Sequence, residues 1–203
     1  LLGFGLLLPL ILLLLLTFTL THDYVYAVDL HLALTLHPYA NAFYDHTAMS
    51  LAYLGGFPGS TVIGMTLCAA VYTSHAAPHE RRRWLFFLSV TLVGGAALGW
   101  ALKWGIERPR PLYWPRPMAV YGASFPSGHS LYAAILAYVM IILCWCTRWR
   151  WPVLVLGLLW AGLMGLSRVY IGAHFPTDVF GGWLLACCWV TAVYLGLTRW
   201  IKP

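Results

Sequence analysis

Lys103, Arg108 and Arg110 crowd into one short stretch that closes on Pro111. Further along comes Ser124-Phe-Pro-Ser127-Gly128-His129, and later Ser167-Arg168, His174 and Asp178. Lys103, Arg110 and Arg168 supply one ammonium and two guanidinium forks, and such forks match the oxygens of a phosphate. Ser127 stands after Pro126 and before an apolar run, where a helix should begin. Its hydroxyl and the N–H groups of Gly128 and His129 would then face out of a helix N-terminus, which attracts anions. Gly128 leaves room for close backbone approach. The set is suited to a tetrahedral dianion.

The two histidines give that cradle a reaction. Asp178 follows His174 by four residues with Pro176 between them, so a helix starting near Pro176 holds Asp178 in its first turn. From there the carboxylate reaches back to one imidazole nitrogen, fixes the tautomer and raises the basicity of the other. His174 is thereby a candidate nucleophile toward phosphorus, forming a phosphohistidine. His129 is the candidate general acid for the leaving oxygen, and later the base for water. The cations would stabilise charge on the equatorial oxygens. Asp178 is the only carboxylate in the second and third stretches, and no acidic cluster points to a metal.

These residues must be brought together by something, and the composition says what. Of 203 residues, 61% are hydrophobic and only 9% charged, against ~45–50% and ~25% in soluble domains. A soluble globular protein, a disordered chain and a coiled coil are excluded. The formal net charge of +6 does not indicate nucleic acid, because the basic residues sit at the ends of apolar runs rather than in a stripe. The five cysteines lie in or beside apolar runs, so neither a disulfide framework nor a zinc site is expected.

The expected fold is all-α: one membrane-embedded domain over 1–203, its chemistry concentrated in 103–178. Six transmembrane helices are placed at about 1–20, 59–75, 84–104, 128–147, 152–171 and 179–198. The first is longer than a signal-peptide core and is read as a retained span. Residues 21–58, with Asp29 and Pro38, are read as short interfacial helices broken near Pro38, a cover over the bundle. With the N-terminus inside, Arg81, Arg82, Arg83, Arg148, Arg150, Arg199 and Lys202 face the cytoplasm, and Lys103, Arg108, Arg110, Arg116 and Arg168 the outside. That is a positive-inside margin of seven to five. Arg108 and Arg116 are read as snorkelling to headgroups. Both termini are then cytoplasmic, and the three reactive stretches converge on the outer face.

The three stretches resemble the signature of the type 2 phosphatidic acid phosphatase superfamily: Lys-x6-Arg-Pro, Pro-Ser-Gly-His, and Ser-Arg-x5-His-x3-Asp. They match in order and without substitution at Lys103 to Arg110-Pro111, Pro126-Ser127-Gly128-His129, and Ser167-Arg168 through His174 to Asp178. The resemblance implies that Lys103, Arg110, Ser127, Gly128, His129 and Arg168 contact the phosphate, that His174 is phosphorylated and that Asp178 supports it. Arg108 does not fit the family spacing and is kept as an auxiliary contact. The superfamily also holds soluble vanadium haloperoxidases, against which the apolar runs argue. Small bacterial members, which this chain resembles in size, dephosphorylate undecaprenyl diphosphate, phosphatidylglycerophosphate or phosphatidic acid without a cofactor. The resemblance therefore implies a lipid phosphate substrate in a bacterial inner membrane, with membrane lipids as the surroundings. A lipid phosphotransferase, passing the phosphoryl group to an acceptor such as lipid A, needs the same pocket and stays open. A carrier or channel without catalysis is the third class.

Overall fold

The computed structural model describes residues 2–21, 25–36, 41–114 and 118–201. Pro38, Arg116 and Lys202 lie outside the described residues. A π-helical opening over Leu2–Leu7 runs into α1 (Leu8–Thr21). There follow α2 (Tyr26–Leu36), α3 (Ala42–Gly55), α4 (Phe57–Tyr72), α5 (Pro78–Ile106), α6 (Gly128–Cys144), α7 (Arg150–Tyr170) and α8 (Pro176–Ile201), with no strand among the described residues.

Leu10, Ile11, Leu14 and Leu15 of α1 are exposed. A helix apolar on every side suits a hydrocarbon solvent. Leu156, Leu158, Leu159 and Leu163 of α7 are exposed as well, whereas its last turns bury Met164, Ser167, Arg168 and Val169. The protein is an integral membrane helix bundle. Four stretches are long and apolar enough to cross a bilayer: Leu2–Leu20, Pro78–Ile106, Arg150–Tyr170 and Pro176–Leu197. The pair α3 and α4, bent by 52°, makes a fifth if taken as one span.

By length and composition the count stops at four or five of the expected six, and two segments account for the difference. The apolar run expected over 128–147 yields an α6 of only 17 residues, short of the ~20 that a span takes. The segment expected to end in interfacial helices before a span at 59 instead joins α3 to α4. The break falls at Gly56, where the chain is extended and Pro58 sits in the first turn of α4. The Ser60 hydroxyl then donates to Gly55 O (3.0 Å) across the bend. Tyr170 OH donates to Asp45 Oδ1 (2.8 Å) and fastens α3 to the end of α7.

Phe87 and Leu88 of α5, Leu131, Ile135 and Val139 of α6 and Val190 of α8 form the centre of the core. α8 crosses close to the start of α6 at Gly182, where a Cβ would lie 2.9 Å from Ser127 O and 3.1 Å from Leu131 N. Only a residue without a side chain lets α8 cross the start of α6 at that distance. Its neighbour Gly181 packs on the buried Phe125 ring. This crossing brings the end of α5, the start of α6, the end of α7 and the start of α8 together.

Candidate active site

Backbone bonds lock the three reactive stretches into one frame. Ser124 N donates to Arg108 O (2.8 Å) and Ser127 N to Asp178 O (2.9 Å). The first tie joins the end of α5 to the loop before α6, and the second joins that loop to α8. Ser124 Oγ adds a bond to Pro109 O (3.0 Å). α5 closes on Glu107, whose left-handed backbone (φ 49°) directs its N–H to Lys103 O (3.0 Å). Between α7 and α8 the chain turns through Gly172 at φ +68°, a conformation open to glycine. The N–H groups of Ala173 and His174 then return to Arg168 O at 3.0 and 3.2 Å. Arg168 and His174 are thereby fixed to each other by the turn itself.

His174 is only 4% exposed. Its Nε2 lies 3.2 Å from Arg110 Nη1. A guanidinium can only donate, so Nε2 is the acceptor and the ring proton belongs on Nδ1. Nδ1 faces Asp178 Oδ2 at 3.5 Å, beyond a bond of ordinary geometry, and makes no hydrogen bond. Asp178 is fully buried and otherwise engaged: Oδ2 accepts from Phe175 N (2.9 Å) and Oδ1 from Arg108 Nη1 (2.6 Å). Burial holds the His174 pKa down to about 4 although the Asp178 carboxylate pulls it up.

Arg110 and Lys103 act on this imidazole, and Arg168 is tied to it through the backbone. Arg110 is framed by carbonyls: Nε donates to Gly122 O (2.9 Å), Nη1 to Ala173 O (2.7 Å) and Nη2 to Tyr121 O (2.8 Å). Lys103 Nζ donates to Ala123 O (2.7 Å). Arg168 is 1% exposed, yet its Nη2 meets only the sulfur of Met118 at 3.9 Å and its Nε has no partner. Among the described residues neither Lys103 nor Arg168 forms an ion pair. Lys103 and Arg168 therefore hold positive charge in a largely buried place without an ion-pair partner among the described residues, beside the carbonyl-framed Arg110.

Ser127 caps α6 and is fully buried, with Ser130 Oγ donating to its hydroxyl (3.0 Å). A Cβ at Gly128 would meet nothing nearer than the Tyr132 ring at 4.0 Å, so packing does not demand a glycine there. His129 stands within electrostatic reach of Arg168, His174 and Arg110. Its Nε2 is 3.1 Å from Ala52 O of α3, a partner that nothing in the local sequence suggests. Among the described residues no group of three or more His, Cys, Asp or Glu is arranged to hold a metal ion.

Arg108 departs from the snorkelling expected of it. It is 11% exposed and forms ion pairs with Asp178 and with Asp29 (2.7 Å) of α2. From the sequence, Asp29 belongs to the stretch covering the bundle and has no role of its own. The signal that could have singled it out is a lone carboxylate inside an apolar stretch, which is costly and rarely idle.

The PAP2 superfamily model matches residues 83–202. The undecaprenyl-diphosphatase of Sulfolobus acidocaldarius is 32% identical over 109 residues, 51% of this chain and 50% of that protein. Phosphatidylglycerophosphatase B of Bacillus subtilis is 38% identical over 111 residues, 52% of this chain and 54% of that protein. The chain thus spans about half the length of the curated relatives it matches. The crystal structure of a transmembrane PAP2-type phosphatidylglycerolphosphate phosphatase from Bacillus subtilis superposes with a TM-score of 0.81 at 26% identity, over 96% of each chain.

Proposed function

This chain belongs to the PAP2 superfamily, and from that footing we propose that it hydrolyses the phosphate or diphosphate of a membrane lipid through a phosphohistidine on His174. The observation that carries the proposal is Arg168. A guanidinium buried to 1% exposure, with an unpartnered Nε and Nη2 against the sulfur of Met118, is costly unless an anion completes it. Arg110 acts on it as a like charge, Lys103 shares the Ala123 carbonyl with Arg110, and His174 Nε2 lies 3.2 Å from Arg110 Nη1.

The steps follow from the tautomer. The Nε2 lone pair attacks phosphorus, a P–N bond forms and the bond from phosphorus to the lipid oxygen breaks. His129 delivers a proton to that oxygen, either from Nε2 once its contact with Ala52 O loosens, or from Nδ1 of a doubly protonated ring whose Nε2–H stays on Ala52 O. The imidazolium character that develops on His174 is balanced by Asp178, 3.5 Å from Nδ1. A water molecule then gives a proton to His129 and its oxygen attacks phosphorus. The P–N bond breaks, its electrons return to Nε2, and inorganic phosphate leaves. Lys103, Arg110, Arg168 and the N–H groups at the start of α6 hold the equatorial oxygens in both steps.

A lipid leaving group is supported by the surroundings of His129. A groove of 510 Å³ between α4, α5 and α6 begins at Phe57 and Tyr132, beside the start of α6, and is lined further on by Met65, Leu92 and Leu136. We count α6 as a sixth span, since Leu131, Ile135 and Val139 put it at the centre of the bundle. The positive-inside bias supports an outward-facing site in a plasma membrane with both termini cytoplasmic. Undecaprenyl diphosphate, phosphatidylglycerophosphate and phosphatidic acid are the candidate substrates.

The test is phosphate release by the purified protein from a panel of these lipids, beside His174→Ala. Release by the wild type and none by the variant is expected. Transfer of labelled phosphate to an acceptor lipid instead of water would make it a phosphotransferase. Undiminished release by His174→Ala would end the proposal.

A further inference from the structure

Arg108 joins two carboxylates that lie far apart in the chain. Its Nη1 donates to Asp178 Oδ1 (2.6 Å) and Thr177 Oγ1 (2.8 Å), and its Nη2 to Asp29 Oδ2 (2.7 Å). Asp29 also accepts from Thr177 N at Oδ1 (2.9 Å) and from Thr177 Oγ1 at Oδ2 (2.6 Å). The guanidinium stacks on the Phe175 ring, 3.9 Å from its centroid. Both carboxylates are fully buried.

We propose that Asp29 and Arg108 are positioning residues for the reaction, setting the orientation and effective charge of Asp178 and, through it, the reactivity of His174. The proposal rests on the reading of His174 as the attacking group. Its physics is that of one cation shared between two anions. Arg108 pins Oδ1 of Asp178, and the Phe175 N–H pins Oδ2, which leaves Oδ2 aimed at His174 Nδ1. Asp29 takes part of the guanidinium charge, so the trio stays net negative and Asp178 can balance an imidazolium. Without Asp29, Arg108 neutralises Asp178 alone and the support for His174 weakens. Without Arg108, two buried carboxylates share one pocket with no cation between them. Asp29 belongs to α2, so a helix remote in sequence becomes part of the alignment of the nucleophile.

The test compares kcat, KM, orthovanadate inhibition and thermal stability of the full chain, on the lipid phosphate that the wild type hydrolyses fastest. Asp29→Asn is expected to lower kcat on the order of tenfold while KM and orthovanadate inhibition stay within about twofold of the wild type, because the phosphate cradle is untouched. Arg108→Met is expected to lose thermal stability, and adding Asp29→Asn to it is expected to restore part of that loss, since one unpaired anion is then gone. Should Asp29→Asn fail to fold, Thr177→Val is read the same way, with a kcat reduced by a few-fold at constant KM. A wild-type kcat in the folded variant, or a loss accounted for wholly by KM, overturns the proposal. His174→Ala, run beside them, separates the failures. If it is inactive while Asp29→Asn is unimpaired, only the positioning role falls; if it is active, the reading of His174 falls and this proposal with it.

Discussion

Arg108 and Arg168 are both shielded from solvent, and their surroundings are opposite. Arg108 has two carboxylates at 2.6 and 2.7 Å and an aromatic ring beneath it. Arg168 has a thioether at 3.9 Å and an Nε with no partner. A charge in a low-dielectric interior must be neutralised by something. Where the protein supplies the counter-charge, as at Arg108, the group is structural or positions others. Where it does not, as at Arg168, the proposed function has a ligand of opposite sign complete the interior. On the proposed reading, the two arginines divide the labour of one site.

The largest effect that could break this division is at His174, the proposed nucleophile. His174→Ala is expected to reduce turnover by orders of magnitude, as for a covalent nucleophile, measured by phosphate release. The same substitution made at each arginine sharpens the contrast. Arg168→Met is expected to cut turnover by on the order of 10²–10³ without lowering thermal stability in phosphate-free buffer. Arg108→Met is expected to lower stability by roughly 3–5 kcal/mol, the cost of breaking a buried pair from one side. Equal stability losses in the two variants, read from thermal melts, would erase the distinction.

A smaller effect comes from supplying the missing anion. Orthovanadate at a hundred times its dissociation constant is expected to stabilise the wild type by about 2.7 kcal/mol. Arg168→Met is expected to gain much less, and an equal shift in the melting temperature would place the anion elsewhere. The smallest effect concerns pH. Burial holds His174 at about 4 when folded, below the ~6.5 of an exposed imidazole. Its contribution to stability is therefore complete above about pH 6.5 and is lost as pH falls toward 4. The acid limb of kcat/KM is expected near 4, and a limb near 6.5 in a pH–rate profile would show that the imidazole is not held in this dry surrounding.

Much of this was legible in the chain. The apolar runs gave helices at 1–20, 84–104, 152–171 and 179–198 that correspond to the four long candidate spans. Pro176 marked the start of α8 and Ser127 the cap of α6, because a residue lacking an N–H and a side-chain acceptor act on their own helix end. The bend between α3 and α4 was missed, because hydropathy reports how apolar a segment is and not where its axis turns. Arg108 was misjudged for a related reason. A basic residue at the end of an apolar helix reads as snorkelling unless its partners are known, and here they are Asp29 on α2 and Asp178 on α8.

The sequence alone determined the kinds of groups present, their order, and the local spacings that one turn or one helix end can enforce: Arg168 with His174, His174 with Asp178, Ser127 with Gly128 and His129. Those relations are short-range, and backbone geometry fixes them almost wherever the segment sits. Tertiary structure alone decided which cations are neutralised. Asp29 reaches Arg108 across 79 positions of sequence and Thr177 across 148, and the strength of such a pair depends on distance and burial, neither of which a linear spacing encodes.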